Sequence, residues 1–259
     1  MKRILVLAFL LATGLGHSLF AEGIDTSSAR TAWSRMLRAR GLEKTSIGTI
    51  AVTETSSAVP LKATYVHSDS RGWWILWDHR PTPLGAVLEV YDTKARLAAD
   101  SIADKGEFVT ASQIKKFDYR KDYRLQFMAI YEPNASDLNA IPKDFRSCGD
   151  KIDCLTVDVG DRQIVYRLDH TTNLPVEVTV EIPPQPQRDG GIPPSAAMSM
   201  ATRLFDYKNR GGVIEPQRLE RNDAVYHIEI FLDPPIRTDL FDTSFSHVPV
   251  SELAWKKQR

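Results

Sequence analysis

In "SSARTAWSRMLRARG" the apolar residues Ala29, Ala32, Trp33, Met36 and Leu37 recur three and four apart. That spacing places them on one face of a helix, with Ser27 or Ser28 at its start and Gly41 where a helix stops. After Gly41 the period changes to two, and turn residues punctuate short segments. "SIGTIAVTET", "LKATYVHSD", "GWWILWD" and "AVLEVYD" are therefore predicted strands. The stretch from Ser112 to Glu132, with apolar Leu125, Met128 and Ile130, is predicted helical in part. Further on, "CLTVDVGDRQIVYRLD" puts Leu155, Val157 and Val159 on one face, turns at Gly160-Asp161 and resumes with Ile164, Tyr166 and Leu168. "HTTNLPVEVTVEI" turns at Asn173 and aligns Val176, Val178, Val180 and Ile182. "AMSMATRLFDYK" and "YHIEIFLD" are the last two predicted strands. Between them lies "RLFDYKNRGGVIEPQRLERND", in which Gly211-Gly212 suits a tight turn and Pro216 belongs at a strand start or an edge. The pattern predicts a meandering, mostly antiparallel sheet with a helix over one face.

The amino end is of another kind. Lys2 and Arg3 precede an apolar run from Ile4 to Ala12, followed by small residues up to Ala21. This is the build of a secretory signal peptide, and the run is about half of the roughly 20 residues a spanning helix needs. We read residues 1–21 as a cleaved signal and 22–259 as a single domain, soluble in a bacterial periplasm. No cysteine follows the apolar core, so lipidation at that junction is not available. The two cysteines, Cys148 and Cys154, lie six apart in "CGDKIDC" and read as a local disulfide in an oxidising compartment. Two thiols without a neighbouring histidine make a poor zinc set.

Charge excludes one class of partner. The chain has 33 basic and 33 acidic side chains, without the concentrated basic excess of nucleic-acid binders. Catalytic constellations are also missing. His17, His67, His79, His170, His227 and His247 are scattered, and no H-E-x-x-H, G-x-S-x-G, P-loop or G-x-G-x-x-G motif occurs. The expectation is a protein that is not an enzyme and uses no cofactor or metal. "RGWWILWDHRP" is the richest candidate for ligand contact. As a strand it turns Trp73, Ile75 and Trp77 to one side and Trp74 and Leu76 to the other. Such a run reads first as a strand buried on both faces, between sheet and helix on one side and under a loop on the other. In a hollow sheet one of its faces can also line a pocket. Trp73, Trp74, Trp77, Met128 and Phe205 are the candidate ligand-binding residues.

The order of segments resembles a family. A helix ends in "RARG"; strands follow; then come Asp169 and "NLPVEV" up to Val178, the hairpin of Tyr207, Gly211, Gly212, Val213 and Pro216, and a closing turn of Pro234, Pro235, Leu240 and Phe241. In this order the chain is similar to the periplasmic outer-membrane lipoprotein carriers of the LolA/LolB-like fold. The resemblance implies a mostly β fold with helices, an incomplete antiparallel β-barrel of about eleven strands covered by helices. It also implies a lipid, lipoprotein acyl chain or other hydrophobic molecule in the hollow, and an outer-membrane or envelope protein as partner. The alternative within the same fold is an envelope protein-interaction or stress-sensing module that binds a polypeptide or a lipoprotein tail. Two departures stand out: Glu215 precedes the proline where relatives often carry an apolar residue, and a Pro-rich insertion runs from Pro183 to Pro194.

Overall fold

The computed structural model describes residues 26–45, 47–56, 58, 61–79, 86–92, 97–102, 107–109, 120–184, 196–241 and 256. Residues 1–21, read above as a signal, and most of the Pro-rich stretch lie outside these residues. Helix α1 spans Thr26–Ala39 and buries Ala29, Ala32 and Met36, the predicted face. It starts ahead of both serines, which therefore lie in its first turn. Its end is a Schellman motif in which Gly41 N donates to Arg38 O at 2.9 Å and Leu42 N to Leu37 O at 2.8 Å. Gly41 takes φ +74°, and a Cβ on it would fall 1.9 Å from the carbonyl oxygen of Gly212. The end of α1 thus docks directly on the Gly211-Gly212 turn, at a separation only glycine permits.

Among the described residues fifteen strands follow: β1 (Thr49–Ser56), β2 (Lys62–Ser68), β3 (Gly72–Asp78), β4 (Ala86–Asp92), β5 (Leu97–Ile102), β6 (Glu107–Val109), β7 (Ile141–Gly149), β8 (Ile152–Val159), β9 (Arg162–Asp169), β10 (Pro175–Ile182), β11 (Met198–Phe205), β12 (Lys208–Arg210), β13 (Val213–Glu215), β14 (Arg218–Arg221) and β15 (Ala224–Leu232). Helix α2, Arg120–Tyr131, lies between β6 and β7. The main sheet runs β6-β5-β4-β3-β2-β1-β15-β14-β11-β10-β9-β8-β7. Eleven of these strands, from β4 to β7, form one antiparallel sheet that does not close into a barrel. The short β5 and β6 extend one edge to thirteen. Two meanders are joined by the pairing of β1 with β15, which brings the two ends of the chain's β region to mid-sheet.

The open sheet is nevertheless strongly curled. In sheet order β3 and β9 are seven strand spacings apart, roughly 34 Å along a flat sheet, yet both touch α2, whose diameter is about 10–12 Å. Phe127 of α2 sits 5.7 Å from the Trp77 ring of β3, and Tyr166 of β9 donates its hydroxyl to Ala129 O at 3.1 Å. Only a sheet wrapped around the helix meets both.

Inside this wrap lies the larger core, which draws Ile50 and Val52 from β1, Tyr65 from β2, Ile164 and Tyr166 from β9, Val178 and Val180 from β10 and Ile228 and Ile230 from β15. The two-residue alternation read from the sequence accounts for these positions, with one exception. Val176 does not share the buried face, because the β9–β10 register shifts between Pro175 and Glu177. The bulge reverses the alternation and turns Pro175 inward in its place. A second core lies on the convex face, where Ala51, Val66, Trp74, Leu76, Leu88 and Val90 are covered by Leu240 and Phe241. Arg71 clamps that cover: its guanidinium lies 4.9 Å over the Phe241 ring and donates to the carbonyls of Arg237 and Thr238. Strand β3 is therefore sealed on the convex face at Trp74 and Leu76 and only partly covered on the inner face, where Trp73 and Trp77 flank the buried Ile75.

Within residues 203–223, the end of β11 and β14 pair in the main sheet, and the hairpin between them is a separate two-stranded ribbon, β12–β13, turned by Gly211 at φ 60° and Gly212 at φ 93°. Pro216 lies just beyond it, between β13 and β14. Cys148 and Cys154 form a disulfide across the β7–β8 hairpin, with Cα atoms 5.7 Å apart. Thiol titration of the unreduced, denatured protein is expected to find no sulfhydryl from either cysteine. Reduction should lower stability by about 2 kcal/mol, the chain-entropy value for so short a loop. Two reactive thiols in the unreduced protein would contradict this assignment.

Candidate functional site

The inner face of the sheet is the natural place for a hydrophobic ligand, and α2 occupies much of it. From Leu125 to Tyr131 every residue of α2 is buried, which marks a helix enclosed on all sides. An enclosed helix has to satisfy its polar atoms internally. Gln126 donates to Thr202 Oγ1 at 2.7 Å, and the Tyr131 hydroxyl donates to Glu54 Oε1 at 2.8 Å. Arg221 balances Glu54, with Nη1 at 3.1 Å from Oε2, and also reaches Thr202 Oγ1 at 3.2 Å. Burial first, and then the Glu54 charge, holds the Tyr131 phenol well above its ordinary pKa, so it stays a donor.

At the C-terminal end of α2 a buried ion pair, Arg40 with Glu215, and a buried hydrogen bond between His67 and Glu132 close the structure. Arg40, from the end of α1, donates through Nη1 to Ile130 O and through Nη2 to Glu215 Oε2, each at 2.5 Å. Arg40 and Glu215 are 1% and 0% exposed, so this pair is fully withdrawn from water. The backbone of Arg40 also accepts from Ile214 N at 2.9 Å. The unusual acid before the proline is thereby explained: Glu215 is the counter-ion that lets Arg40 tie α1, α2 and the β12–β13 ribbon together. Glu132 Oε1 pairs with His67 Nδ1 at 2.9 Å. Burial raises the Glu132 pKa, with His67 pulling it back.

Beside α2 runs an aromatic strip. Phe127 stacks on Tyr65 at 5.0 Å and tilts against Trp77 at 5.7 Å, while Tyr65 stacks on His67 at 6.1 Å. Trp77 donates Nε1–H to Glu89 Oε1 at 3.1 Å. The Arg124 guanidinium lies 5.3 Å over the Trp73 ring. Trp73 and Trp77 are half-buried against the inner core, whereas Ile75 between them is sealed. Met128 is buried in the same core on α2.

Two of the predicted ligand contacts do not join this group. Trp74 is fully buried in the convex cluster, because neighbouring residues of a strand face opposite ways. Phe205 lies one residue beyond Leu204, which faces the inner core, and it stacks under Arg218 at 4.3 Å on the other side of the sheet. Residues that the sequence did not single out complete the inner surface: Tyr65, Phe127 and Arg124, with Glu54 and Arg221 behind them. A signal for the buried charges was present. Glu54 follows Ile50 and Val52 in the inward alternation of β1, and His67 follows Ala63 and Tyr65 in β2.

Cavities lined by described residues include two away from the aromatic strip. One, of about 300 Å³, opens among Leu42, Thr45, Ile47, Asp69, Glu132 and Asn134. The other, of about 550 Å³, lies at the hairpin ends near Asp158, Gln163, Glu181 and Met198. Neither includes Trp73 or Trp77. Among the described residues no group of three or more His, Cys, Asp or Glu is arranged to hold a metal ion. No helix among them is long and apolar enough to cross a membrane. No protein-family model matches the chain, and no curated protein matches it.

Proposed function

We propose that the protein is a periplasmic binding or carrier protein of LolA/LolB-like type, without enzymatic activity, for a lipid, an acyl chain or another hydrophobic molecule. The observation that carries this reading is the pair of half-buried tryptophans, Trp73 and Trp77, on the inner face of a sheet curled around a helix. Large aromatic rings left partly exposed beside a core offer apolar contact area at little entropic cost. Because α2 fills the wrap from Leu125 to Tyr131, the ligand lies along the two tryptophans beside that helix rather than in its place. An outer-membrane or envelope protein is the proposed recipient.

The test is titration with a neutral fluorescent probe, N-phenyl-1-naphthylamine, paired with thermal unfolding of the same samples. Trp73→Glu and Trp77→Glu are expected to weaken probe binding at least tenfold while remaining folded, since a half-exposed position can hydrate a carboxylate that a sealed core cannot. Unchanged binding by both folded variants would remove the tryptophans from the site. No binding by the parent protein would remove the reading itself.

A further inference from the structure

The aromatic strip is electrically polarised. At its Trp77 end the partner is an acid, Glu89, bonded to the indole N–H. At its Trp73 end the partner is a base, Arg124, stacked over the ring. Arg124 is half-buried and has no carboxylate partner among the described residues. The Glu132 carboxylate, one residue past the end of α2, is already engaged by His67, the residue that faces Trp73 across the β2–β3 pairing.

Helix stability does not explain this arrangement. Positions 120, 121 and 124 of α2 are all basic, against one acid at position 122, and they occupy the N-terminal turns, where the helix dipole disfavours cations. A guanidinium over an indole, partly desolvated and without a carboxylate partner among the described residues, is instead suited to receive a planar or tetrahedral oxyanion through paired N–H donors.

We propose that the ligand is an anionic amphiphile whose headgroup sits on Arg124 and whose apolar portion lies along Trp73 and Trp77, a reading that rests on the hydrophobic-ligand proposal above. Arg124 sets the direction: it attracts the anion to the Trp73 end, while the Trp77 end, where the indole N–H is taken by Glu89, is left to the apolar portion. The shared chemistry is an oxyanion on an apolar chain, supplied either by a fatty carboxylate or by a phosphate lipid headgroup.

The experiment compares a fluorescent fatty acid with its methyl ester on the full-length mature protein, with lysophosphatidylglycerol and lysophosphatidylcholine as competitors. The acid is expected to bind about tenfold or more tightly than the ester, as one charge-assisted contact provides. Arg124→Gln should bring acid and ester to one affinity with the melting temperature unchanged, while Arg124→Lys should retain part of the preference. Stronger competition by the phosphatidylglycerol species than by the fatty acid assigns a phosphate headgroup, and the reverse order assigns a carboxylate. Equal affinity of acid and ester for the parent overturns the headgroup assignment and leaves the apolar site standing. A preference that survives in Arg124→Gln overturns the role of Arg124. Failure of both acid and ester to bind overturns this inference together with the reading on which it rests.

Discussion

Arg40→Ala is expected to destabilise the protein by about 3–5 kcal/mol, the range for removing one partner of a buried ion pair. Three losses coincide in this variant. Glu215 is left without its cation at 0% exposure, and its Oε1 already lacks a hydrogen-bond partner. The Ile130 carbonyl loses the donor that faces it at 2.5 Å. A cavity the size of an arginine side chain opens between α1, α2 and the ribbon. Replacing both partners together, Arg40→Met with Glu215→Leu, should recover much of the loss, because the penalty arises from the orphaned charge rather than from the absence of attraction. Urea denaturation of the parent, both single variants and the double variant at pH 8, where the Glu215 carboxylate is ionised, forms the cycle that measures this coupling. A loss below about 1 kcal/mol for Arg40→Ala would mean that water reaches the pair and that the burial is not maintained in solution.

Stability should also fall as pH rises through the range from about 4.5 to 7. Burial pushes the Glu215 pKa up from 4.5 to about 7, against the pull of Arg40. The folded protein therefore holds this proton more tightly than the unfolded chain does. The sign follows: the contribution is fully present below pH 4.5, declines as pH rises toward 7 and is constant above it. A difference of this size corresponds to about 3 kcal/mol across the window. Glu132, also raised by burial, adds to the same trend. Asp169 acts in the opposite sense at lower pH, where its pKa is depressed by hydrogen bonds from Thr172 and Thr171. Thermal unfolding of the parent and of Glu215→Gln between pH 4.5 and 8 tests the assignment. Glu215→Gln should flatten a large part of the decline. Identical slopes in the two proteins would show that Glu215 does not titrate in this range.

The two expectations concern one pair, and they show what the pair does for the molecule. A buried ion pair gives little net stability but is satisfied in only one arrangement. Arg40 fixes the end of α1 against the C-terminal end of α2 and the Gly211-Gly212 ribbon, and α2 in turn presents Phe127 and Arg124 to the tryptophans of β3. The geometry of the proposed site thus depends on a contact at the far end of the helix.

The elements themselves were legible in the residue pattern, because strand and helix alternation follow from local geometry and from the one-sided burial of each element. The face of α1, the separation of Trp73 and Trp77 from Trp74, the alternation of β8 and β9 and the disulfide hairpin all follow from periods of two or 3.6 and from near-neighbour spacing. Local geometry does not reveal which distant residues meet. The sequence shows Glu54, His67, Arg40 and Glu215 as charges on or beside apolar positions. Only the curled sheet brings Glu54 to Tyr131 and Arg221, His67 to Glu132, and Arg40 to Glu215 across 175 residues of chain. The pattern likewise groups Phe205 with the tryptophans by chemistry, and the parity of β11 sends it to the other face. Strand β7 escapes the pattern because none of its positions is fully buried, and β14, only four residues long, is too short to show a period even though it alternates. Hydrophobic alternation thus determined the strands and their inward faces, while the long-range pairing of β1 with β15 and the burial of α2 decided where the charges and aromatic rings converge. The physical reason is that periodicity records the environment of each residue, apolar or wet, and carries no record of which partner supplies that environment.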